Sequence, residues 1–229
     1  MRPPSRQLEL RPRTWGGKRA GAGRRRSPDA SVPHRPRAPL ASRHPVHVTL
    51  KVLPEAAGLR RGKLIRRLRA SFRAGRERAG FRLCHFGVLG NHIHLVCEGA
   101  DATALARGVQ ALEIRIARGV NRTLGRSGQV LADRYHARAL RTPTEVRNAL
   151  RYVLQNLAHH RGDGRGFVDG CSSGPWFDGW RGALPTNEPW MRELLVEPPP
   201  VTAPHTWLLG TGWRLRGLLS PGDAPAEAR

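Results

Sequence analysis

The sequence predicts an α+β fold, and two kinds of pattern support that prediction. Four short runs alternate in the manner of β-strands, and three longer runs repeat apolar residues at the spacing of amphipathic helices. The runs follow one another in the order β-α-β-β-α-β-α. Two β-α-β units of this kind form an antiparallel sheet with both connecting helices on one face, which is the ferredoxin-like arrangement. We expect the other face of the sheet to stay open for a ligand.

The first strand and the first helix lie in residues 44–78. Residues 44–52 alternate and are rich in β-branched side chains, and Pro54 ends the strand. Apolar residues then recur at helical spacing from Leu64 to Phe72 within an arginine-rich run, which predicts a helix with a cationic outer face.

A β-hairpin is predicted next. Residues 81–89 and 92–98 both have the composition of strands, and the Gly-Asn pair between them is a favoured two-residue hairpin turn. The pairing of such a hairpin places Gly87 opposite His94. Because glycine has no side chain, we expect empty space above the sheet at this point.

Two helices flank the fourth strand. Asp101 is a candidate N-cap for the second helix, whose apolar residues recur up to Val120. Residues 135–141 form the fourth strand, and the segment 142–145 (Thr-Pro-Thr-Glu) is a capping box with proline at the first helical position. The third helix runs from this box to about residue 160.

The regions on either side of this domain (residues 44–162) differ from it in composition. Residues 1–43 hold 12 Lys/Arg against two Asp/Glu, with many prolines and glycines, so they are predicted to form a disordered basic arm. Residues 163–229 form a Gly-, Pro- and Trp-rich extension with one short amphipathic stretch near residues 189–197, and no second core is predicted there.

Charge is the most extreme property of the composition. The chain has 40 Lys+Arg and 17 Asp+Glu, a net charge of +23, and only three of the cations are lysines. Arginine-rich surfaces favour polyanions because guanidinium binds phosphate in a bidentate manner.

No apolar run approaches the roughly 20 residues of a membrane span, so no membrane partner is expected. Cys84, Cys97 and Cys171 lack metal-binding spacing, and we expect reduced thiols of a cytoplasmic protein.

Two histidines on the predicted hairpin are candidate metal ligands. His92 and His94 are two residues apart, so both imidazoles project from the same face of a strand. Two such imidazoles can hold one metal ion with coordination positions left open. Taken alone, the pattern also fits a pair of half-exposed strand histidines.

The third helix adds a phenol and an amide. Tyr152 lies roughly 140° and Asn156 about 100° from the centre of the helix's apolar stripe, at about 100° per residue. Both therefore belong to the polar side of the helix, one turn apart.

Together these groups predict metal-assisted attack on a phosphodiester. A divalent ion on His92, His94 and Asn156 would polarise a phosphate oxygen, and Tyr152 would act as the nucleophile. A covalent phosphotyrosine conserves bond energy for rejoining, which distinguishes strand transfer from hydrolysis. Single-stranded DNA is the substrate that fits the cationic composition.

Three segments carry a resemblance to a known family: residues 91–95 (Asn-His-Ile-His-Leu), 133–136 (Asp-Arg-Tyr-His) and 151–156 (Arg-Tyr-Val-Leu-Gln-Asn). In this order and on these predicted elements, they resemble the single-tyrosine HUH transposases, and in particular the REP-associated tyrosine transposases. The similarity covers about residues 44–160.

The resemblance implies a ferredoxin-like nuclease that uses Mg²⁺ or Mn²⁺. Its metal ligands would be His92, His94 and Asn156, and Tyr152 would become linked to the 5′ phosphate and release a 3′ hydroxyl. The resemblance also implies a folded single strand of DNA, commonly a hairpin, as the substrate, and it makes a homodimer possible, since several members of the family work as dimers. It further implies a cytoplasmic, nucleoid-associated location in a bacterial cell.

Other basic residues are candidates for nucleic-acid contact. Arg134 and His136 lie at the start of the fourth strand, where they can touch phosphate. The arginines of the first helix form either a DNA-backbone track or a solvated helix face; they are Arg60, Arg61, Arg66 and Arg67.

Two other functions fit parts of the sequence. A metal-independent two-histidine phosphoesterase acting on RNA ends needs two His-x-Thr/Ser strands, and only His47-Val48-Thr49 has that form. A non-catalytic RRM-like nucleic-acid binder needs aromatic residues on its central strands, where Phe81 and Phe86 are the candidates.

Overall fold

The computed structural model describes residues 39–161 and 168–221, and the side chains of residues 156–161 fall outside that description. The strands in the described part of the chain are β1 (Val46–Lys51), β2 (Glu77–Arg78), β3 (Phe81–Val88), β4 (His92–Gly99) and β5 (His136–Ala139). The α-helices there are α1 (Gly62–Gly75), α2 (Ala102–Leu124), α3 (Pro143–Arg161), α4 (Pro189–Val196) and α5 (Trp207–Gly210). Short 3₁₀ turns lie at Pro54–Ala56, Gly174–Trp176 and Gly212–Arg216. The predicted basic arm lies almost entirely outside the described residues.

The strands form one antiparallel sheet in the order β2-β3-β4-β1-β5. The α+β class and the four predicted strands are therefore confirmed. β2 has no counterpart in the prediction, because its two residues, paired with Phe81 and Arg82, are too few to show an alternating pattern.

Helix α3 begins where the capping box predicts. The Thr142 hydroxyl accepts from the backbone N–H of Glu145 at 3.2 Å, and the Glu145 carboxylate accepts from the N–H groups of Arg141 at 2.6 Å and Thr142 at 3.2 Å. These bonds satisfy amides that the first helical turn leaves without a partner. Hydrogen bonds lower the pKa of the Glu145 carboxyl: the N–H of Arg141 has the largest effect, and the Arg138 guanidinium adds to it.

One face of the sheet is covered by α1 and α2, as predicted. Alternate residues of β1, namely Val46, Val48 and Leu50, point into this layer and are almost completely buried. The helices contribute Leu64, Ile65, Leu68 and Phe72 from α1 and Leu105, Val109, Leu112, Ile116 and Val120 from α2. Full burial of a Leu, Val or Phe side chain stabilises a fold by roughly 1.5–3 kcal/mol. This layer is the larger of the two cores described for the protein.

The opposite face is not open over its β3–β4 half, contrary to the sequence prediction. The predicted pairing of Gly87 with His94 is confirmed, yet the space above Gly87 is filled by α3. A Cβ at position 87 would lie 2.1 Å from the carbonyl oxygen of Val153. The missing side chain therefore lets the helix backbone contact the sheet directly. On the β1–β5 half, by contrast, Lys51 and His136 stay exposed.

The Gly-, Pro- and Trp-rich segment forms a second core with α3, and the prediction of no second core there is wrong. Its apolar side chains pack with Leu150, Val153 and Leu154 of α3. They are Val168, Phe177, Trp180, Met191, Leu208, Leu209, Trp213 and Leu219. The amphipathic stretch near residues 189–197 is confirmed as α4, which contributes Met191. The sequence does not indicate the core as a whole, because its residues recur at irregular intervals on 3₁₀ turns, short helices and loops without a common period.

Polar contacts fasten this segment to the sheet and to its edge. The Arg60 guanidinium donates to both carboxylate oxygens of the buried Asp169, at 2.8 and 2.7 Å. The buried Glu98, at the end of β4, accepts from the N–H groups of His205 and Thr206, each at 2.8 Å. The segment therefore belongs to the same folded unit as the sheet.

The described residues include no helix that is both long and apolar enough to cross a bilayer.

All three cysteines are free thiols. Cys84 and Cys97 are buried, and burial raises the pKa of both thiols. Thiols held in this way are poor nucleophiles, because the thiolate is the reactive form.

Candidate functional site

Two adjacent strands, β1 and β4, place polar side chains on the second face of the sheet. In β1, His47 and Thr49 alternate with the core residues, and the cross-strand partner of Thr49 is His94 of β4. His92 points to the same face two residues earlier, opposite Lys51. Strand alternation therefore brings these side chains together on one face.

His94 lies at the centre of this group. Its side chain is buried, with the residue only 6% exposed. The Nδ1 atom of His94 lies 3.3 Å from His47 Nε2 and 3.2 Å from the Thr49 hydroxyl. Burial, followed by the neighbouring His47 and His92, lowers the pKa of His94 to about 3. The ring is therefore a neutral imidazole at physiological pH.

His92 is less buried and lies beside the same group. Its Nδ1 is 2.8 Å from the side-chain oxygen of Asn91, and its ring is nearly parallel to that of His94, with centroids 6.4 Å apart. Partial burial and the Lys51 ammonium lower the pKa of His92. The two rings share one face of β4, as the spacing predicts.

Tyr152 meets this cluster from α3. Its ring contacts His94 edge-on at a centroid distance of 5.0 Å and His47 at 5.9 Å. The structure thus brings the predicted nucleophile next to one of the predicted metal ligands. The contact of Val153 with Gly87 places α3 across the sheet. As a result, the polar side of the helix, which carries Tyr152, faces the histidines.

The third predicted ligand, Asn156, lies on α3 one turn beyond Tyr152, and its side chain is outside the described part. The described residues contain no group of three or more His, Cys, Asp or Glu arranged to hold a metal ion. The chemistry of His92 and His94 nevertheless suits a divalent transition ion, since neutral imidazole is a good ligand for such ions. It suits Mn²⁺ better than Mg²⁺, which prefers oxygen donors.

The β5 edge borders the site with basic side chains. His136 pairs across the strands with Thr49, and Arg138 pairs with His47, so both side chains lie on the site's face of the sheet. Both are exposed. Arg138 donates one bond of 3.1 Å to Glu145 at the start of α3. Arg134, just before β5, is exposed as well.

The arginines of α1, and the two that precede it, are not brought to this site. Arg61, Arg66 and Arg67 are exposed, but α1 packs on the opposite face of the sheet. Arg60 is held by Asp169 and by the Val88 carbonyl at 2.6 Å. Its guanidinium therefore fastens the segment after α3 to the end of β3.

Two members of the cluster were not among the predicted site residues. Thr49 and His47 contact the same nitrogen of His94, and burial, followed by Arg138, lowers the pKa of His47 to about 4. The alternation of residues 44–52 already places both side chains on one face. The ferredoxin-like arrangement also implies that β1 lies next to β4. What the sequence does not reveal is that both side chains contact the Nδ1 atom of His94.

Neither a protein-family model nor a curated protein matches the chain. Among solved structures, the chain is similar to that of a REP-associated tyrosine transposase bound to a REP hairpin, with 14% sequence identity and a TM-score of 0.43. The match covers 56% of this chain and 74% of that chain.

Proposed function

We propose that this protein is a DNA transposase that cleaves and rejoins single-stranded DNA, with Tyr152 as the nucleophile. The observation that supports the proposal best is the contact of the Tyr152 ring with His94 and His47, on a sheet face bordered by cations. The strand order β5-β1-β4-β3, with α1 and α2 on one face, supports a ferredoxin-like domain as its scaffold.

The reaction assigned to Tyr152 is an in-line displacement at phosphorus. The phenol oxygen forms a bond to the phosphorus and loses its proton, while the bond from phosphorus to the 3′ oxygen breaks. The products are a 5′-phosphotyrosine and a free 3′ hydroxyl. Attack of a 3′ hydroxyl on the phosphotyrosine reverses the step and rejoins the strand. Tyrosine is a competent covalent nucleophile in enzymes.

His92, His94 and Asn156 are the residues that would hold a divalent ion, Mg²⁺ or Mn²⁺. A bound ion would supply stabilisation of negative charge on the phosphoryl oxygens. His47 and Thr49 hold the His94 ring through its Nδ1 atom. A hairpin-containing substrate, a homodimer and a cytoplasmic, nucleoid-associated location complete the proposal, and these three parts come from the sequence resemblance.

The test is an assay for covalent adducts. The protein is incubated with a pool of labelled single-stranded hairpins and Mn²⁺, and SDS-resistant bands are scored. We expect Tyr152→Phe to abolish the bands and to leave DNA binding nearly unchanged, because only the phenol oxygen is removed. EDTA is expected to stop adduct formation, and Mg²⁺ or Mn²⁺ to restore it.

The matched comparison is Tyr135→Phe, since Tyr135 is the second of the two tyrosines in the chain. Tyr135 packs against the α1–α2 core, so its replacement is expected to preserve the adduct. Adducts that persist in Tyr152→Phe would contradict the assignment, and their loss in Tyr135→Phe would then point to Tyr135 as the nucleophile.

A second candidate function is favoured by one contact. His47 Nε2 lies 3.3 Å from His94 Nδ1, and Thr49 touches the same atom, so the His-x-Thr strand of a metal-independent phosphoesterase on RNA ends lies beside a second histidine. The second strand, His92-Ile93-His94, lacks the Thr/Ser that such an enzyme also needs. That enzyme would be insensitive to EDTA and to Tyr152→Phe. The RRM-like binder finds no support, because Phe81 and Phe86 are buried in the core at 1% and 0% exposure.

A further inference from the structure

Helix α3 divides the second face of the sheet into a covered half and an uncovered half. At its first turn Glu145 contacts Arg138 of β5, and two turns later Tyr152 contacts His47 and His94. The next residue, Val153, lies over Gly87 of β3. The helix therefore crosses the sheet obliquely, from the β5 edge toward β3.

The uncovered half is cationic. Lys51, His136 and Arg138 are exposed side chains on the same face of β1 and β5, and we call them the β1–β5 patch. The carboxylates nearest to them along the chain are Glu55, four residues after Lys51, Asp133, which accepts from the N–H of Arg134, and Glu145. Glu145 accepts one bond from Arg138 and is otherwise held by the amides of its helix start.

The patch directly adjoins the site. His136 is the cross-strand partner of Thr49, which contacts His94, and Arg138 is the partner of His47, which contacts Tyr152. Residues two apart on a strand are separated by roughly 6.8 Å, which is close to the spacing of neighbouring phosphates in an extended single strand. A chain of phosphates can therefore pass from the patch to the Tyr152 ring without leaving this face.

We propose that the nucleic-acid strand lies across this uncovered half of the sheet, with one phosphate on Lys51, a later phosphate on Arg138 and the phosphate between them beside His136. This inference rests on the proposed function and assigns the surface that presents the substrate to Tyr152. It differs from the backbone track that the sequence predicts on α1, because a strand bound along α1 would have to pass round an edge of the sheet to reach the tyrosine.

The test compares two double variants that each remove two positive charges. Lys51→Gln/Arg138→Gln alters the patch, and Arg66→Gln/Arg67→Gln alters exposed positions on α1. Binding of a short fluorescein-labelled single-stranded DNA of mixed sequence is followed by anisotropy over a range of salt concentrations. The buffer contains EDTA, so the result does not depend on covalent chemistry or on the nucleophile.

The patch variant is expected to bind about tenfold more weakly at low salt, and its slope of log Kd against log salt is expected to fall by about 1.4, since each phosphate contact with a single strand contributes about 0.7. The α1 variant is expected to bind at most about twofold more weakly. Arg138→Lys keeps the charge and is expected to retain the slope. Thermal unfolding of each variant checks that it is folded.

Equal reductions of affinity in the two double variants, or a larger reduction in the α1 variant, would overturn the proposal. An unchanged slope in the folded patch variant would do the same. If the patch variant binds more weakly while Tyr152→Phe still forms adducts, the binding surface stands and the nucleophile is wrong, so the two failures are distinguishable.

Discussion

At the scale of single residues, burial decides which chemistry the histidines can perform. A neutral imidazole carries a proton on one nitrogen and a lone pair on the other. His94 is neutral because burial lowers its pKa to about 3, so it can donate from Nδ1 to Thr49 or His47 and keep the lone pair on Nε2. A metal-binding histidine needs this division of roles between its two nitrogens.

A buried histidine outside the site allows the effect of burial to be tested separately. His85 of β3 is buried against Phe177, and burial lowers its pKa to about 4 from an ordinary value near 6.5. The unfolded chain therefore binds more protons than the folded one between these pH values, and stability rises with pH in that window. At pH 5 the reduction in stability relative to pH 7 is on the order of 2 kcal/mol for this residue.

Urea denaturation at a series of pH values measures this contribution. The variant His85→Gln is expected to show a smaller decrease in unfolding free energy between pH 7 and pH 5 than the wild type. His136→Gln, at an exposed position, serves as the control. A pH dependence that is the same in all three proteins would rule out His85 as its source.

At the scale of elements, the position of α3 depends on one residue of β3. Gly87 lets the Val153 carbonyl come against the sheet, and the neighbouring residue on α3 is Tyr152. Gly87 thus sets the position of the Tyr152 phenol indirectly, through the backbone of α3. Nothing in the sequence indicates this dependence. The capping box at Thr142 and Glu145 starts the helix at the β5 edge, and the close approach at Gly87 determines where it crosses the sheet.

The variant Gly87→Ala tests this dependence. Its Cβ would lie 2.1 Å from the Val153 carbonyl oxygen, so α3 must shift, and we expect the unfolding free energy to fall by about 1–3 kcal/mol. Adduct formation is expected to fall as well, because Tyr152 moves with the helix. Both quantities are measured beside those of the wild type.

Gly90→Ala is the matched control, since a Cβ at that position meets nothing within 4 Å and the backbone has no positive φ. Its stability is expected to stay within about 0.5 kcal/mol of the wild type. Similar destabilisation in the two alanine variants would mean that the contact with Val153 is not what holds α3 in place.

At the scale of the whole molecule, charge and layering act together. The net charge of +23 attracts polyanions to every surface, whereas the two cores decide which surface lies near Tyr152. The α1–α2 core covers one face of the sheet, and the second core covers the β3–β4 half of the other. The composition therefore supplies the general attraction for polyanions, and the fold decides which surface presents a bound polyanion to Tyr152.

Removal of residues 1–38 tests the contribution of the basic arm. Because these residues carry most of the arm's arginines, the deletion is expected to lower the slope of log Kd against log salt for single-stranded DNA, by about 0.7 for each phosphate that the arm neutralises in the full-length protein. Anisotropy titrations of the full-length and shortened chains give the two slopes. Identical slopes would show that the arm binds no phosphates.

The sequence by itself determined the local features of this protein. Alternation and the Gly-Asn turn predicted the strands, a capping box predicted the start of α3, and two-residue spacing placed His92 and His94 on one face, because each of these signals comes from neighbours along the chain. Only the tertiary structure decided that β1 brings His47 and Thr49 to His94, and that Gly87 admits α3 and with it Tyr152. It also decided that a segment without periodicity closes a second core. These outcomes depend on contacts between residues far apart in sequence, whose packing leaves no regular pattern along the chain.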